Sequence, residues 1–195
     1  MKAIIMAAGV GKRLQALNIN KPKCLITVGS TTLIRRSVNL LVNKGISDIT
    51  VIVGFMAHLI RNELNNDVAY FENPDFISTN SIKSLWYAKD LLEDNVLLLN
   101  GDLYYEHVIL DYAINQTNPV VMLADSTRID NADYRFSFSG DQINQFGKHL
   151  TNHETDGEYV GIVRIDQRFI KTFKQALEEM ITSGKSNIWW EDVLY

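Results

Sequence analysis

Three short stretches carry residue types that could do chemistry. The first is Ala8-Gly9-Val10-Gly11-Lys12-Arg13-Leu14, directly after an apolar run near the N-terminus. Two glycines one residue apart let the backbone approach a ligand closely and take positive φ. Free backbone N–H groups in a loop after a strand form an anion cradle. Lys12 and Arg13 then add side-chain charge, and a guanidinium can grip phosphate oxygens in pairs. A Walker A loop is excluded because Arg13 follows Lys12 where Ser or Thr is required. A dinucleotide fingerprint is excluded because Leu14 stands in place of the third glycine. On the glycines alone, a tight strand–helix turn with two surface charges accounts for the segment equally well. The second stretch, Asn100-Gly101-Asp102, follows the apolar run Val96–Leu99. A carboxylate just past a strand end sits where α/β folds bind ligands, although a turn Asp can also simply satisfy its own backbone. The third, Trp189-Trp190-Glu191-Asp192, sets two aromatics beside two acids. That combination suits an ammonium, through cation–π attraction and charge; one core Trp beside exposed acids is the plainer alternative. His58, His107, His149 and His153 have no metal-ligand spacing.

The elements that must position these residues follow from periodicity. Lys2–Met6, Ile49–Val53, Val68–Phe71, Val96–Leu99 and Val120–Ala124 read as short buried strands. Between them lie stretches of helical period: Thr31–Lys44 with Gly45 as a stop, a segment marked by Met56, Ile60 and Leu64, Ser81–Leu92 behind an Asn80 N-cap, and His107–Gln116. Asn73–Thr79 reads as a loop. This alternation predicts an α/β fold with a largely parallel sheet, and uniformly apolar strands predict helices on both sheet faces. After Asp125 the rhythm changes. Tyr134–Ser139 alternates, Ser139-Gly140-Asp141 is a turn, and Ile143 and Phe146 follow, which predicts an added hairpin. Tyr159–Ile165 is a further strand, and Phe169, Phe173, Leu177, Met180 and Ile181 mark a final helix.

The 195 residues fit one domain. Apolar residues make up 46% and charged residues 22%, as in ordinary globular chains. A net charge of −4 leaves no bulk basic surface for nucleic acid, so an anionic ligand needs a local cluster of positive groups. No apolar run approaches the ~18–20 residues that span a bilayer, so no membrane partner is expected. A single cysteine, Cys24, fits a reducing compartment, and the short apolar start followed by Lys12-Arg13 does not read as a signal peptide. The expectation is a cytoplasmic protein.

Met6-Ala7-Ala8-Gly9-x-Gly11-x-Arg13-Leu14, followed by Pro22-Lys23-x-Leu25, resembles the signature of the sugar-phosphate and choline-phosphate nucleotidyltransferases. The resemblance implies a Rossmann-like three-layer sandwich of the nucleotide-diphospho-sugar transferase type, with a mostly parallel central sheet and an added antiparallel hairpin. It also implies transfer of a nucleoside monophosphate from a nucleoside triphosphate to a small phosphorylated acceptor. Ala8, Gly9, Gly11, Lys12 and Arg13 would hold the triphosphate, Lys23 would act near the reacting centre, and Asp102 would bind Mg²⁺. Asn80-Ser81-Ile82-Lys83-Ser84 is similar to a pattern of cytidylyltransferases that act on phosphocholine or aminoethylphosphonate. This makes Asn80 and Ser84 candidates for the base and CTP the favoured nucleotide. Gly147-Lys148 and Asp156-Gly157-Glu158 also match that group, so Lys148, Glu158, Trp189, Trp190, Glu191 and Asp192 are the acceptor-side candidates.

A phosphate monoester is already mostly dianionic at pH 7, with its second pKa near ~6, and needs no general base. The remaining task is to bring two anions together, by positioning and charge neutralisation. Chains of this family normally continue some tens of residues past the acceptor motif, into a Glu-x-Asp whose Asp is a second metal ligand. The sequence stops at Tyr195. The expectation is therefore a single domain over 1–195 that lacks this tail and turns over poorly. A sugar-phosphate nucleotidyltransferase and a weakly catalytic nucleotide-binding homologue are the alternatives.

Overall fold

The computed structural model describes residues 1–11 and 20–194. Among them, strands β1 (Lys2–Ala7), β4 (Ile49–Val53), β5 (Ala69–Glu72) and β6 (Val96–Asn100) form the parallel half of an eight-stranded sheet, in the order β5-β4-β1-β6. β1 is central: Ala3 pairs with Ile49 on one side and Leu97 on the other. All four strands therefore point their C-terminal ends the same way, and the glycine loop, Gly54, Asn73 and Gly101 gather at one edge of the sheet.

The uniformly apolar strands are explained by what covers them. Ala3, Ile5, Val51, Val53, Leu97 and Leu99 pack against Ile34, Val38 and Leu41 of α1 (Leu33–Asn43), Ile60 and Leu64 of α2 (Ala57–Leu64) and Leu110 of α4 (His107–Asn115). Their neighbours Ile4, Ile52, Val96 and Leu98 face the opposite way. They meet Ile82 and Leu85 of α3 (Ser81–Tyr87) and Ile170, Phe173 and Leu177 of α5 (Gln167–Thr182). The period-2 alternation of strands thus feeds two separate cores, giving the three-layer sandwich and mostly parallel sheet expected from the sequence.

The second half of the sheet is antiparallel. The long strand β10 (Gly157–Ile165) pairs with β6 and, near its start, with β8 (Arg135–Ser139) along one edge. Along its other edge it pairs with β7 (Val120–Asp125). The helix-then-strand order before β7 had suggested another parallel neighbour. Instead β10 inserts between β6 and β7, so β7 keeps the direction of the parallel strands without touching them. The register of β10 and β7 slips between Tyr159 and Val163, where Gly161 takes φ +84°, as at a β-bulge. β8 and β9 (Gln142–Gly147) form the expected hairpin.

Two helix boundaries differ from the sequence reading. Thr31–Thr32 is β3, paired with β2 (Thr27–Val28), and Thr32 caps α1 through its hydroxyl, which accepts from Arg35 N. The helix from Ser81 ends at Tyr87, and Lys89–Leu91 is a 3-10 turn. Glu178 of α5 accepts hydrogen bonds from both Trp86 and Lys89 and ties this break to the neighbouring helix. Among the described residues no helix is long and apolar enough to cross a membrane.

Candidate active site

A cleft of about 500 Å³ opens over the C-terminal ends of β1, β5 and β6. Ala8, Gly9, Val10 and Gly11 form one wall, and Lys23, Gly101 and Asp102 lie along the floor. Asn80 and Ser84 stand at the start of α3. Each is placed by backbone bonds that the sheet dictates. Gly101 N donates to Met6 O at 2.9 Å, tying the turn after β6 to β1. A side chain at 101 would press on Met6 O and Ala7 Cβ, both at 3.1 Å from an added Cβ. Phe55 N donates to Ala8 O at 3.1 Å, which pins the start of the glycine loop against the end of β4.

Lys23 reaches Asp102 with an Nζ–Oδ2 distance of 3.7 Å. Both side chains are more than a third exposed, so the pair contributes little to stability, about 0–1 kcal/mol, and its charges remain available to a ligand. Gly11 has φ +65°, and an added Cβ would lie 3.0 Å from Lys23 Cγ. The second glycine therefore serves the lysine as well as the loop: it gives the lysine stem room to lie across it. Burial, and then the charge of Asp102, push the Cys24 thiol up to about 12, which leaves it protonated and unsuited to nucleophilic work. Lys12 and Arg13 lie outside the described residues.

At the start of α3, Asn80 Oδ1 accepts from Ser81 N at 2.8 Å, as an N-cap. Ser84 is buried, and its Oγ accepts from Asn73 Nδ2 at 2.8 Å. Asn73, only 1% exposed, also accepts from Asp75 N through Oδ1. The Asn73-Pro74-Asp75 run carried a turn signal in the sequence, but nothing there linked it to Ser84. The loop that follows Asn73 places Phe76 and Ile77 on the cleft wall.

A second cleft of about 570 Å³ adjoins the first and shares Asn80 and Asn187 with it. Asn187 arrives from the far end of the chain. The segment carrying it is laid beside the start of α3 by Asn80 N donating to Ser186 O, Ile82 N to Ile188 O and Trp190 N to Ser81 Oγ. Lys148, Trp189 and Asp192 line this second cleft together with Tyr134 and Asn144. Trp189 stacks on Tyr134 with ring centroids 5.2 Å apart, and Lys148 Nζ lies 3.9 Å from the Trp189 ring centroid. Asp192 Oδ1 accepts from Tyr134 Oη at 3.0 Å.

Three of the acceptor-side candidates are placed elsewhere. Trp190 is 1% exposed and meets Phe173 of α5 edge-on. Glu191 is buried as well, and loss of water, with Asp192 alongside, raises its carboxyl pKa to about 7. The 3-10 turn over Trp190–Leu194 sends these two side chains inward and leaves Trp189 and Asp192 at the cleft. Glu158 accepts from Asp133 N and pairs with Arg128 at 3.9 Å, holding the loop before β8.

The arrangement is two adjoining clefts. One is lined by a backbone cradle, an ammonium and a carboxylate; the other is polar and aromatic. Among the described residues, no three His, Cys, Asp or Glu side chains converge as a ready-made metal site. A lone Asp102 fits a Mg²⁺ of the kind that takes one or two carboxylates and completes its shell with phosphate oxygens and water.

Known proteins share this architecture. Over 96% of the chain, the sequence is 24% identical to a CTP:phosphoglutamine cytidylyltransferase from Campylobacter jejuni, covering 83% of that protein. It is 37% identical to a 2-aminoethylphosphonate cytidylyltransferase from Lancefieldella rimae, over 60% of the chain and 47% of the relative. With three of the first four curated relatives, the match spans less than half of the relative's length. The fold superposes on the CTP:phosphocholine cytidylyltransferase of Streptococcus pneumoniae with a TM-score of 0.78 at 22% identity, covering 99% of this chain and 83% of that one. A nucleotidyl transferase family model matches residues 2–132, which hold the glycine loop, Lys23, Asn80, Ser84 and Asp102, and the chain belongs to that family.

Proposed function

We propose that the protein transfers CMP from CTP to a small phosphorylated acceptor and releases pyrophosphate. The observation that carries this reading is the junction at Asn80 and Asn187. The cleft lined by the glycine loop, Lys23 and Asp102 opens there directly into a second cleft of about 570 Å³, large enough for a small monoester. Two substrates seated on either side would meet at that junction, with Lys23 and Asp102 lining the first cleft. The names of the relatives, cytidylyltransferases for phosphoglutamine and aminoethylphosphonate, support CTP as the donor and a phosphate or phosphonate as the nucleophile.

In this reading the backbone N–H groups of Gly9 and Gly11 face the triphosphate. Arg13 and Lys12, next in sequence, add charge to it. Ser84 and Asn80 lie beside the base. Lys23 offsets charge as the two anions approach, and an acceptor oxygen attacks the α-phosphorus in line with the departing pyrophosphate. No general base is required, because the acceptor monoester is already dianionic near neutral pH. Asp102 is the residue that would hold Mg²⁺ together with phosphate oxygens, and a bound Mg²⁺ would supply further charge neutralisation.

The test is pyrophosphate release from each of four nucleoside triphosphates against phosphocholine, aminoethylphosphonate and several sugar phosphates, with and without Mg²⁺. The expected result is release with CTP, and not with the other triphosphates, in the presence of at least one phosphorylated acceptor. Release with UTP and sugar phosphates alone would overturn the cytidylyl assignment.

A further inference from the structure

The second cleft differs from the ammonium cage that its aromatic and acidic sequence suggested. Trp189, the largest of the aromatics that line it beside Tyr134 and Phe146, is already occupied by the chain. It stacks on Tyr134, and the ammonium of Lys148 lies over its ring at 3.9 Å. A cation over an aromatic face is held by the ring quadrupole, and a second cation there would meet the first at contact distance. Glu191 is buried behind the cleft, which leaves Asp192, one oxygen of which accepts from the Tyr134 hydroxyl, as the single carboxylate in a lining that also carries the Lys148 ammonium. What the cleft offers instead is carboxamides: Asn80, Asn144, Gln145 and Asn187 all line it. A carboxamide both donates and accepts hydrogen bonds. Asn144 spends an N–H on Ser139 Oγ and keeps its carbonyl oxygen, while Asn80 spends its oxygen on the Ser81 cap and keeps its N–H groups.

We propose that the acceptor's head group is neutral and hydrogen-bonding, a carboxamide or a set of hydroxyls, and that Lys148 seated on Trp189 excludes a quaternary ammonium. The assignment rests on the cytidylyl-transfer reading and narrows its acceptor. Lys148 acts as a specificity-determining residue. Its charge suits the acceptor's own phosphate, and its position denies the indole face to trimethylammonium. Gln145 and Asn187 supply the donor and acceptor pairs that an amide or diol matches and a methylated nitrogen cannot.

The experiment compares three monoesters of similar size: phosphocholine, phosphoglycolamide and glycerol 3-phosphate. Their affinities are measured by calorimetry on the whole chain with CTP present, and pyrophosphate release is followed in parallel. The expected result is that the amide or polyol ester binds at least tenfold more tightly than phosphocholine. Lys148→Met should shrink that ratio by opening the indole face. Gln145→Leu should weaken the neutral esters while leaving phosphocholine binding unchanged. Tighter binding of phosphocholine by the unaltered protein would overturn the proposal, as would equal losses for all three esters in the Gln145 variant. Binding of CTP itself is measured in the same preparations. Its absence would sink the cytidylyl-transfer reading, and the relative order of the esters would still decide this one.

Discussion

Asn73 donates its side-chain amide to Ser84 Oγ at 2.8 Å inside the protein, which fixes the polarity of the serine. With its oxygen accepting from Asn73, Ser84 has its own proton left to donate into the cleft that it lines. An oxygen or unprotonated ring nitrogen on a pyrimidine is the kind of partner such a donor needs. The same Asn73 holds the turn at Asp75 through its other amide atom, so one buried carboxamide shapes both the loop and the hydrogen-bonding sense of the cleft at Ser84.

Ser84→Ala should therefore weaken CTP by the value of one neutral hydrogen bond, about 0.5–1.5 kcal/mol, while ATP binding changes less. Asn73→Asp is the sharper variant. Its carboxylate still accepts from Asp75 N, but it also accepts the Ser84 proton and so leaves the serine nothing to donate. Calorimetry with CTP and ATP should show a loss of CTP preference, with a thermal melt to check that the chain still folds with a carboxylate at this buried position. An unchanged CTP-to-ATP ratio in both variants would remove Ser84 from base recognition.

Much of the first cleft was legible in the sequence because its parts are local. A glycine loop after a strand, a Pro-Lys pair, a Gly-Asp after an apolar run and an Asn N-cap are each complete within a few residues. The parallel sheet brings their ends together with no further instruction. Asn187 was invisible for the opposite reason. It enters the site only because residues 186–190 bond along the start of α3, more than 100 residues away in sequence. Trp189-Trp190-Glu191-Asp192 could not be sorted by composition, since a 3-10 turn decides which of four neighbours face the cleft. The reversed neighbour of β6 was likewise hidden. Nothing in the apolar run Tyr159–Ile165 states its direction, and β10 runs antiparallel through the place that β7 had been expected to take.

Gly11→Ala probes the lysine as well as the loop. The new methyl would sit at φ +65° and 3.0 Å from Lys23 Cγ. Strain of this kind costs of order 1–3 kcal/mol, and the stem of Lys23 must move to relieve the contact. Turnover should fall further than CTP affinity, and Lys23→Ala should show the same split, because the charge is needed most as the phosphates meet. Steady-state kinetics paired with CTP binding would check this. A loss confined to affinity in both variants would place Lys23 on the ground-state triphosphate instead.

Asp102→Asn keeps the shape and removes the charge. Asp102 is partly exposed at a strand end and contributes only a weak ion pair with Lys23, so the thermal midpoint should barely move. Turnover should collapse by at least a hundredfold in saturating Mg²⁺, and added Mn²⁺ should restore little. Full activity in this variant would mean that Asp102 does not hold the metal.

Glu191 yields a prediction about stability. Burial is the main reason that its carboxyl pKa rises from its ordinary 4.5 to about 7, and the charge of Asp192 adds to it. Between those two values the folded chain binds more protons at this site than the unfolded chain does. Stability must then fall as pH rises across that window and level off above it. At about 1.4 kcal/mol per pKa unit, the full effect of this group is on the order of 3 kcal/mol. Glu191→Gln places a neutral group of the same shape in the same site and removes the titration. Urea midpoints measured at pH 5 and pH 8 should therefore drop for the natural protein and drop much less for the variant, with the two proteins closest at pH 5. Parallel declines in both would show that Glu191 is not the group whose ionisation is opposed, and that its burial is compensated by a partner that stabilises the carboxylate.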